Sequence, residues 1–353
     1  MKVLVTGHRG YIGSILVPML QEAGHDVTGL DIGLFADGIL GSPPDEIKSL
    51  DVDVRDVTVD QLREFDAVLH LAAISNDPVG DLNPEVTYEI NYDASVRLAE
   101  LSKQAGVSRF LFASSCSLYG AAAELDVLDE QAPFDPITPY GSSKVMVEKE
   151  VSKLADDKFC PTYLRCATAY GFSPRLRADI VVNNLVGYAF LDGEVRMKSD
   201  GSPWRPLVHI EDISRAYLAI LHAPLELVHN QAFNVGRTTE NYQIRQVAEM
   251  VQEAVPGSTF EMSKGAEPDT RCYRVDCSKL EQTLPEYRPC WTVKRGIAEL
   301  HDAYKKFGLE KAHFTGPAHV RMRKIQALQA TGRLTDSLRW REMPLAATSH
   351  APH

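Results

Sequence analysis

The first half of the chain alternates between two hydrophobic rhythms. Short runs rich in β-branched residues, "KVLVT", "DVTGLD", "IKSLDVD", "AVLHLAA", "RFLFAS" and "PTYLRC", stay apolar without alternating. Such runs belong to strands buried on both faces. Between them lie stretches of helical spacing, one from Ile12, one from Pro84 to Ala105 and one from Thr138. Strands separated by crossover helices predict an α/β fold whose parallel sheet is doubly wound. After Arg165 the rhythm loosens, and "GFSPRLRAD", "DGSPWRP" and "SKGAEPDTR" concentrate Gly, Pro and charge as ligand-facing loops do. Near the end, "HVRMRKIQALQATGRLTDSLRW" has helical spacing, and "EMPLAATSHAPH" reads as a disordered tail.

Composition narrows what such a fold serves. With 353 residues, 44% hydrophobic and 24% charged, the chain holds core enough for an enzyme. Its 48 acidic and 37 basic residues give a net charge of -11, so no basic field favours nucleic acid as a partner. The six cysteines show no CxxC spacing, which points to reduced thiols in a cytoplasm and not to a zinc site or a disulfide framework. "MKVLVTG" runs from one lysine straight into a strand, and no apolar stretch reaches the roughly 18 residues of a membrane span. A soluble, cytoplasmic protein without a membrane partner is expected.

The motif "VLVTGHRGYIG" sets Gly7, Gly10 and Gly13 between a strand and a helix start. Glycines there permit a turn closed to side chains, let backbone approach a pyrophosphate and pack helix on strand, with the helix N-terminus facing the anion. The next strand ends at Asp31, whose carboxylate suits the ribose hydroxyls of NAD and repels the 2′-phosphate of NADP. Arg9 in the glycine loop is the contrary signal, but Ile32 and Gly33 follow Asp31 and bring no second cation. NAD is therefore the expected cofactor. "DVDVRD" offers Asp53 to the adenine amino group and Val54 to the ring, against the plainer reading of a surface carboxylate. "HLAA" brings Leu71, Ala72 and Ala73 to where backbone must approach the cofactor, and His70 is expected to be structural.

Tyr140 and Lys144 in "YGSSKVMVEKEVSKL" stand four apart on one helical face, phenol above ammonium. A free tyrosine titrates at about 10, but a nearby lysine charge and a nicotinamide cation favour the phenolate. Tyr140 thus qualifies as the acid/base for a hydroxyl–carbonyl interconversion. This spacing alone occurs by chance in long helices. Ser115, at the end of the strand "RFLFASS", strengthens it, since its hydroxyl can hold the substrate oxygen and donate to developing charge.

In order and spacing, the glycine loop, Asp31, "DVRD", "HLAA", Asn91 in "EINYDAS", "SSCSLYG", "YGSSK", "LRCATAYG" and "WRPLVHIEDISRA" resemble the extended short-chain dehydrogenase/reductase family, specifically its nucleotide-sugar epimerases and dehydratases. The resemblance implies a Rossmann NAD-binding domain over residues 1–166, rejoined by 207–236. A smaller C-terminal α/β lobe over 167–206 and 237–311 would hold a nucleotide diphosphate sugar. Residues 312–353, a helical extension and flexible tail, have no assignable counterpart. Tyr140 would take the proton of the sugar 4-hydroxyl as hydride passes to NAD, with Lys144 lowering its pKa and bonding the nicotinamide ribose. Tyr11, Ile12, Asn91 and Ala113 join the implied cofactor residues. A homodimer would form through helices near 84–105 and 138–157, whose apolar faces are otherwise only core.

The same resemblance supplies substrate residues. Asn184 and Leu185 of "VVNNLVGYAF" would touch diphosphate and base, a helix cap being the plainer role for the Asn pair. Arg205 of "WRPLVHIED" would fork onto phosphate oxygens. Ser115, Ser117 and Thr168 would face the sugar or diphosphate, and Tyr273 would pack on the nucleotide or in the core. His209, beside Asp212 at a helix start, is expected to make a structural hydrogen bond. Thr168 stands where many members have asparagine, and Ala266 where an arginine is common, with Lys264 or Arg271 as substitutes. "RPL" replaces an Arg-Asp-aromatic run.

All candidate reactions begin with oxidation at C4. A 4,6-dehydratase of this family follows the serine with an Asp-Glu pair, and this chain has Cys116 and Ser117 there. A 3,5-epimerase places a cysteine two residues before the tyrosine aligned with Tyr119, where Ser117 stands; carbon-acid chemistry by Cys116 is the weaker reading. What remains is C4 epimerisation through a transient ketone. A nucleotide-sugar dehydrogenase or ketoreductase is the enzymatic alternative, and a nucleotide-binding sensor the non-enzymatic one.

Overall fold

The computed structural model describes residues 1–75, 77–120, 127–197, 200–262 and 272–342. Its central sheet contains β1 (Lys2–Thr6), β2 (Asp26–Leu30), β3 (Ser49–Leu50), β4 (Ala67–His70), β5 (Arg109–Ser115) and the later strands Cys160–Cys166 and Gln231–Val235. From one edge to the other the order is Gln231–Val235, Cys160–Cys166, β5, β4, β1, β2, β3. Every pairing is parallel. Val3, Val5, Leu69, Leu111 and Leu164 turn to one face, while Leu4, Val68, Phe110, Phe112 and Tyr163 turn to the other. Both faces are dry, which is why these strands read as unbroken apolar runs. The chain order reverses between β1 and β4, so the crevice opens beyond the C-terminal ends of those strands.

The rod expected from Pro84 to Ala105 forms in three joined parts: an α-turn Pro84–Tyr88, a π-turn Glu89–Asp93 and an α-helix Ala94–Ala105. Asn83 caps its start, and Gly106, at φ +87°, ends it in the left-handed conformation glycine tolerates. The π-turn carries the fully buried Asn91.

Beyond the sheet, Thr168–Tyr170, Trp204–His209 and Asn241–Gln243 form a three-stranded sheet. Helices Val181–Asp192, Ile244–Ala254 and Val293–Lys306 surround a second core that includes Val186, Val251 and Ile297. The C-terminal segment departs from its helical spacing. Its helix Arg321–Ala330 stops before Gly332, whose φ of +69° reverses the chain, and Leu334 then bridges to Trp340. The second half is held by burial instead: Leu334 and Leu338 pack with Ile74, Val79 and Val86 at the rim of the crevice. The tail from residue 343 lies outside the described residues, as do Lys264, Ala266 and Arg271. No helix among the described residues is long and apolar enough to cross a membrane.

Candidate active site

Helix Pro139–Ser152 starts at Thr138, whose side chain accepts the Gly141 N–H, with Pro139 in the first turn. One turn in, Lys144 is 2% exposed; its Nζ donates to the Ala113 carbonyl at 2.7 Å. The ammonium also sits 4.5 Å from the Phe112 ring centroid and 5.5 Å from that of Tyr140. This bond ties the helix to β5 two residues before Ser115, fixing the Tyr140 turn against the strand end. Burial pulls the Lys144 ammonium down to about 8, partly opposed by Glu148, so it remains mostly charged at neutral pH.

Ser115 caps the short 3-10 turn Cys116–Tyr119: its Oγ accepts from the Ser117 N–H and donates to the Ser117 Oγ, both at 3.1 Å. Cys116 is 1% exposed and donates to the Arg165 carbonyl at 3.1 Å. Burial pushes its thiol well above the ordinary range, which removes it as a thiolate base. Beneath the same helix lies a network that sequence reasoning missed. Glu148, one turn beyond Lys144, pairs with Arg165 at 2.7 Å and accepts from Ser114. Arg165 also donates to the Tyr119 hydroxyl and the Glu130 carbonyl, and Tyr119 donates to Asn234. The available signal was the arginine inside an otherwise apolar strand, since a buried charge requires a partner.

At the other end of the crevice, a Cβ added to Gly7 would lie 2.8 Å from the Ala72 nitrogen, and one on Gly13 would lie 2.6 Å from the Gly7 carbonyl. The turn is thus pressed against Leu71–Ala73, with Gly10 donating to Gly7 at 2.9 Å. Helix α1 (Gly13–Glu22) opens at Ile12 with no side-chain cap; Ser14 and Ile15 donate to the Gly10 and Ile12 carbonyls, and the positive end of the helix faces the glycine turn. This cradle fits a dinucleotide. Asp31 follows β2; its carboxylate accepts the Gly33 N–H at 2.8 Å and the Arg9 N–H at 3.1 Å. The Arg9 guanidinium is instead paired with Asp51 at 2.7 Å. His70 is structural as expected: Thr6 and Ser95 hold its two nitrogens at 2.7 and 2.8 Å, and burial pushes it down to about 3.

Several residues are more committed than their sequence context suggested. Asp53 is no plain surface carboxylate: it caps Val54–Asp56 and takes three bonds from Arg55, leaving about one acceptor site of the four a carboxylate offers. Val54 is 7% exposed. Asn91 spends both ends of its amide on the backbone of Ile74, at 2.8 and 2.9 Å, so it holds the loop after β4 in place. Asn184 donates back to the Ala178 carbonyl at 2.7 Å, and Leu185, 3% exposed, belongs to the second core. Helix capping falls to neither asparagine, because Ile180 holds the cap position. Asn183, not Asn184, is the hub: it bonds the Gly171 N–H, the Tyr11 hydroxyl and the Arg177 carbonyl. Thr168 is half-buried on its strand. Arg205 is 7% exposed with its guanidinium 5.8 Å from the ring of the buried Tyr273. His209 caps the helix Ile210–His222 by accepting from Glu211, but its other nitrogen meets Glu299 at 2.8 Å, because Asp212 is taken by the N–H groups of Cys290 and Trp291.

A glycine cradle at the reversal point of a parallel sheet, an acidic residue after β2 and a Ser-Tyr-Lys set along β5 and its neighbouring helix define a dinucleotide-dependent enzyme of the extended short-chain dehydrogenase/reductase type. The chain belongs to the NAD dependent epimerase/dehydratase family, which it matches over residues 3–236. It is 30% identical over 270 residues to the UDP-glucose 4-epimerase of Corynebacterium glutamicum, covering 72% of this chain and 80% of that protein. Among solved structures, MoeE5 in complex with UDP-glucuronic acid and NAD is 27% identical with a TM-score of 0.75, covering 87% of this chain and 99% of that one. The UDP-glucose 4-epimerase of Thermus thermophilus in complex with NAD is 26% identical with a TM-score of 0.72, covering 86% and 99%.

Proposed function

We propose that this protein is an NAD-dependent epimerase of a nucleotide diphosphate sugar, inverting carbon 4 through a transient 4-keto sugar. The observation that carries this reading is the Tyr140–Lys144 turn locked to β5 beside Ser115, with no carboxylic acid in the two positions after that serine. NAD, when bound, supplies the acceptor and donor of hydride at the carbinol carbon. Gly7, Gly10, Tyr11, Ile12 and Gly13 hold its pyrophosphate, Asp31 its adenosine ribose, and the last acceptor site of Asp53 with Val54 its adenine. Leu71, Ala72, Ala73 and Ala113 form the floor, which Asn91 keeps in register.

Tyr140, held as the phenolate by the Lys144 ammonium, takes the 4-hydroxyl proton and becomes the neutral phenol. Ser115 swings its hydroxyl from Ser117 to the sugar oxygen. After the ketone has turned its other face, the same phenol returns the proton. Arg205 holds the diphosphate with Tyr273 stacked beneath it. Ser117, Thr168 and Asn184 supply polar contacts, and Leu185 backs the wall. UDP is the nucleotide to try first, since the named relatives are UDP-sugar proteins. Dehydration is disfavoured by the buried Cys116 and hydrogen-bonded Ser117, neither of which is an acid. Two copies pair through the helices near 84–105 and 138–157, where Met146 remains half-exposed. The six unpaired thiols support a cytoplasmic setting.

The test is turnover of UDP-sugars by purified protein without added cofactor. Tyr140→Phe should lower the rate by about 10²–10⁴-fold at unchanged melting temperature. Undiminished turnover in that variant would remove Tyr140 from the chemistry, and stoichiometric consumption of NAD would turn the reading to a dehydrogenase.

A further inference from the structure

Two buried guanidinium groups beside the cradle have no ion pair among the described residues. Arg175, in the loop after Thr168–Tyr170, is 9% exposed, and its Nε and Nη1 are buried without a hydrogen-bond partner. Arg321, opening the C-terminal helix, is 8% exposed and lies 3.8 Å from the ring centroid of Phe35. Among the neighbouring carboxylates, Asp179 is paired with Arg177 and Asp37 with Lys324, while Asp31 accepts the backbone N–H groups of Arg9 and Gly33 and is the carboxylate in electrostatic reach of both guanidinium groups. Two buried guanidinium groups thus share one carboxylate, an arrangement that leaves net positive charge and favours an anion.

Their place says which anion. Asp31 marks the adenosine ribose, and Arg177, which donates to Ser75 in the loop after β4 at 3.2 Å and is in electrostatic reach of Tyr11 and Tyr140, marks the nicotinamide side. Arg321 lies within electrostatic reach of both Asp31 and Arg177, and Arg175 within reach of Arg321 and Asp31. The pair thus spans the middle of the crevice. The loop of Arg175 is pinned to the glycine turn: Tyr11 donates to the Gly171 carbonyl at 2.6 Å, and Ser173 to the Tyr11 carbonyl at 2.9 Å. The segment of Arg321 is pinned to the opposite rim. Trp340 donates to the Ile32 carbonyl at 2.7 Å, and Arg55 to the Ser337 carbonyl at 2.8 Å. The pyrophosphate of a dinucleotide carries one negative charge on each phosphate, which gives each guanidinium group an anionic partner of its own.

We propose that Arg175 and Arg321 clamp the pyrophosphate of the dinucleotide from the side opposite the glycine turn, with residues 321–340 as the strap that delivers Arg321. The proposal rests on the NAD reading above. A guanidinium fork matches phosphate oxygens and forms charge-assisted bonds to them. In the nucleotide-free protein burial pulls Arg321 down to about 9, a cost the phosphates relieve.

The test uses the full chain, stripped of nucleotide, as wild type, Arg175→Met and Arg321→Met. Each is titrated with adenosine, ADP, NAD and NADP by calorimetry and thermal shift. Either methionine variant should bind ADP and NAD about 10- to 100-fold more weakly, with adenosine unaffected. Arg175→Lys and Arg321→Lys keep the charge without the fork and should recover part of the loss; they carry the comparison if a methionine variant does not fold. Wild-type affinity for ADP and NAD in both methionine variants would overturn the clamp. So would loss of NADP affinity alone, which would assign the guanidinium groups to a 2′-phosphate. A wild-type chain that binds ADP but not NAD, with the predicted loss for ADP in the variants, would sink the NAD reading while supporting a diphosphate clamp.

Discussion

Two buried charge systems in this fold end differently. Under the Tyr140 helix, Glu148 and Arg165, each with a side chain 6% exposed, pair with one another and pass their remaining bonds to Ser114, Tyr119 and Glu130. Beside the glycine turn, Arg175 and Arg321 are nearly as buried and have no ion pair among the described residues, and two nitrogens of Arg175 lack a hydrogen-bond partner. A satisfied network stiffens the elements it joins, and here it braces the helix that carries the acid/base. An unsatisfied one costs the free protein stability that an anionic ligand can restore.

The contrast is most exposed to failure at Glu148. Glu148→Gln leaves Arg165 charged, buried and uncompensated, and should cost about 3–5 kcal/mol in urea unfolding with NAD content unchanged. A loss below about 1 kcal/mol would mean that Arg165 finds another partner, and the distinction between the two systems would dissolve.

A third treatment of charge sharpens the comparison, because at His70 and His319 the fold keeps charge out. Burial holds them at about 3 and about 4, so both are neutral in the folded chain where unfolded histidine protonates below about 6.5. The unfolded state then binds more protons, and stability falls as pH drops from about 6.5, by roughly 1.4 kcal/mol per pH unit for each histidine. Urea midpoints measured between about pH 7 and about pH 4.5 should show that slope, and a flat profile would contradict neutral buried imidazoles.

The smallest effect is the most discriminating. In nucleotide-free protein, Arg175→Met should be neutral or stabilising by about 1 kcal/mol, because it removes a buried charge that has no ion pair among the described residues. Destabilisation on the scale expected for Glu148→Gln would show that Arg175 is part of the scaffold.

What was legible in the sequence is what depends on neighbours in sequence. Strands dry on both faces must be apolar throughout, a glycine turn must precede its helix, and Tyr140 and Lys144 need only one turn of helix between them. What was hidden depends on the far chain. That Arg55 takes three of the acceptor sites of Asp53, and the Ile74 backbone both ends of the Asn91 amide, is invisible beside their place as expected cofactor residues. No pattern within a window joins Arg175 to Arg321, and the absence of a second cation after Asp31 holds only for residues adjacent in sequence. The stop before Gly332 was half legible: a glycine stands near the middle of the helical spacing, and its left-handed backbone turns the chain just after the helix ends at Ala330.

The bond from Trp340 to Ile32 joins residues 308 apart in the chain. Translation runs from the N-terminus, and early segments fold while later ones are still being made. The sheet, the glycine turn and Arg175 therefore leave the ribosome before residues 321–340 exist to cross the crevice. On the proposed clamp, the nucleotide cradle of a nascent chain is an open berth, and the segment synthesised afterwards supplies its roof.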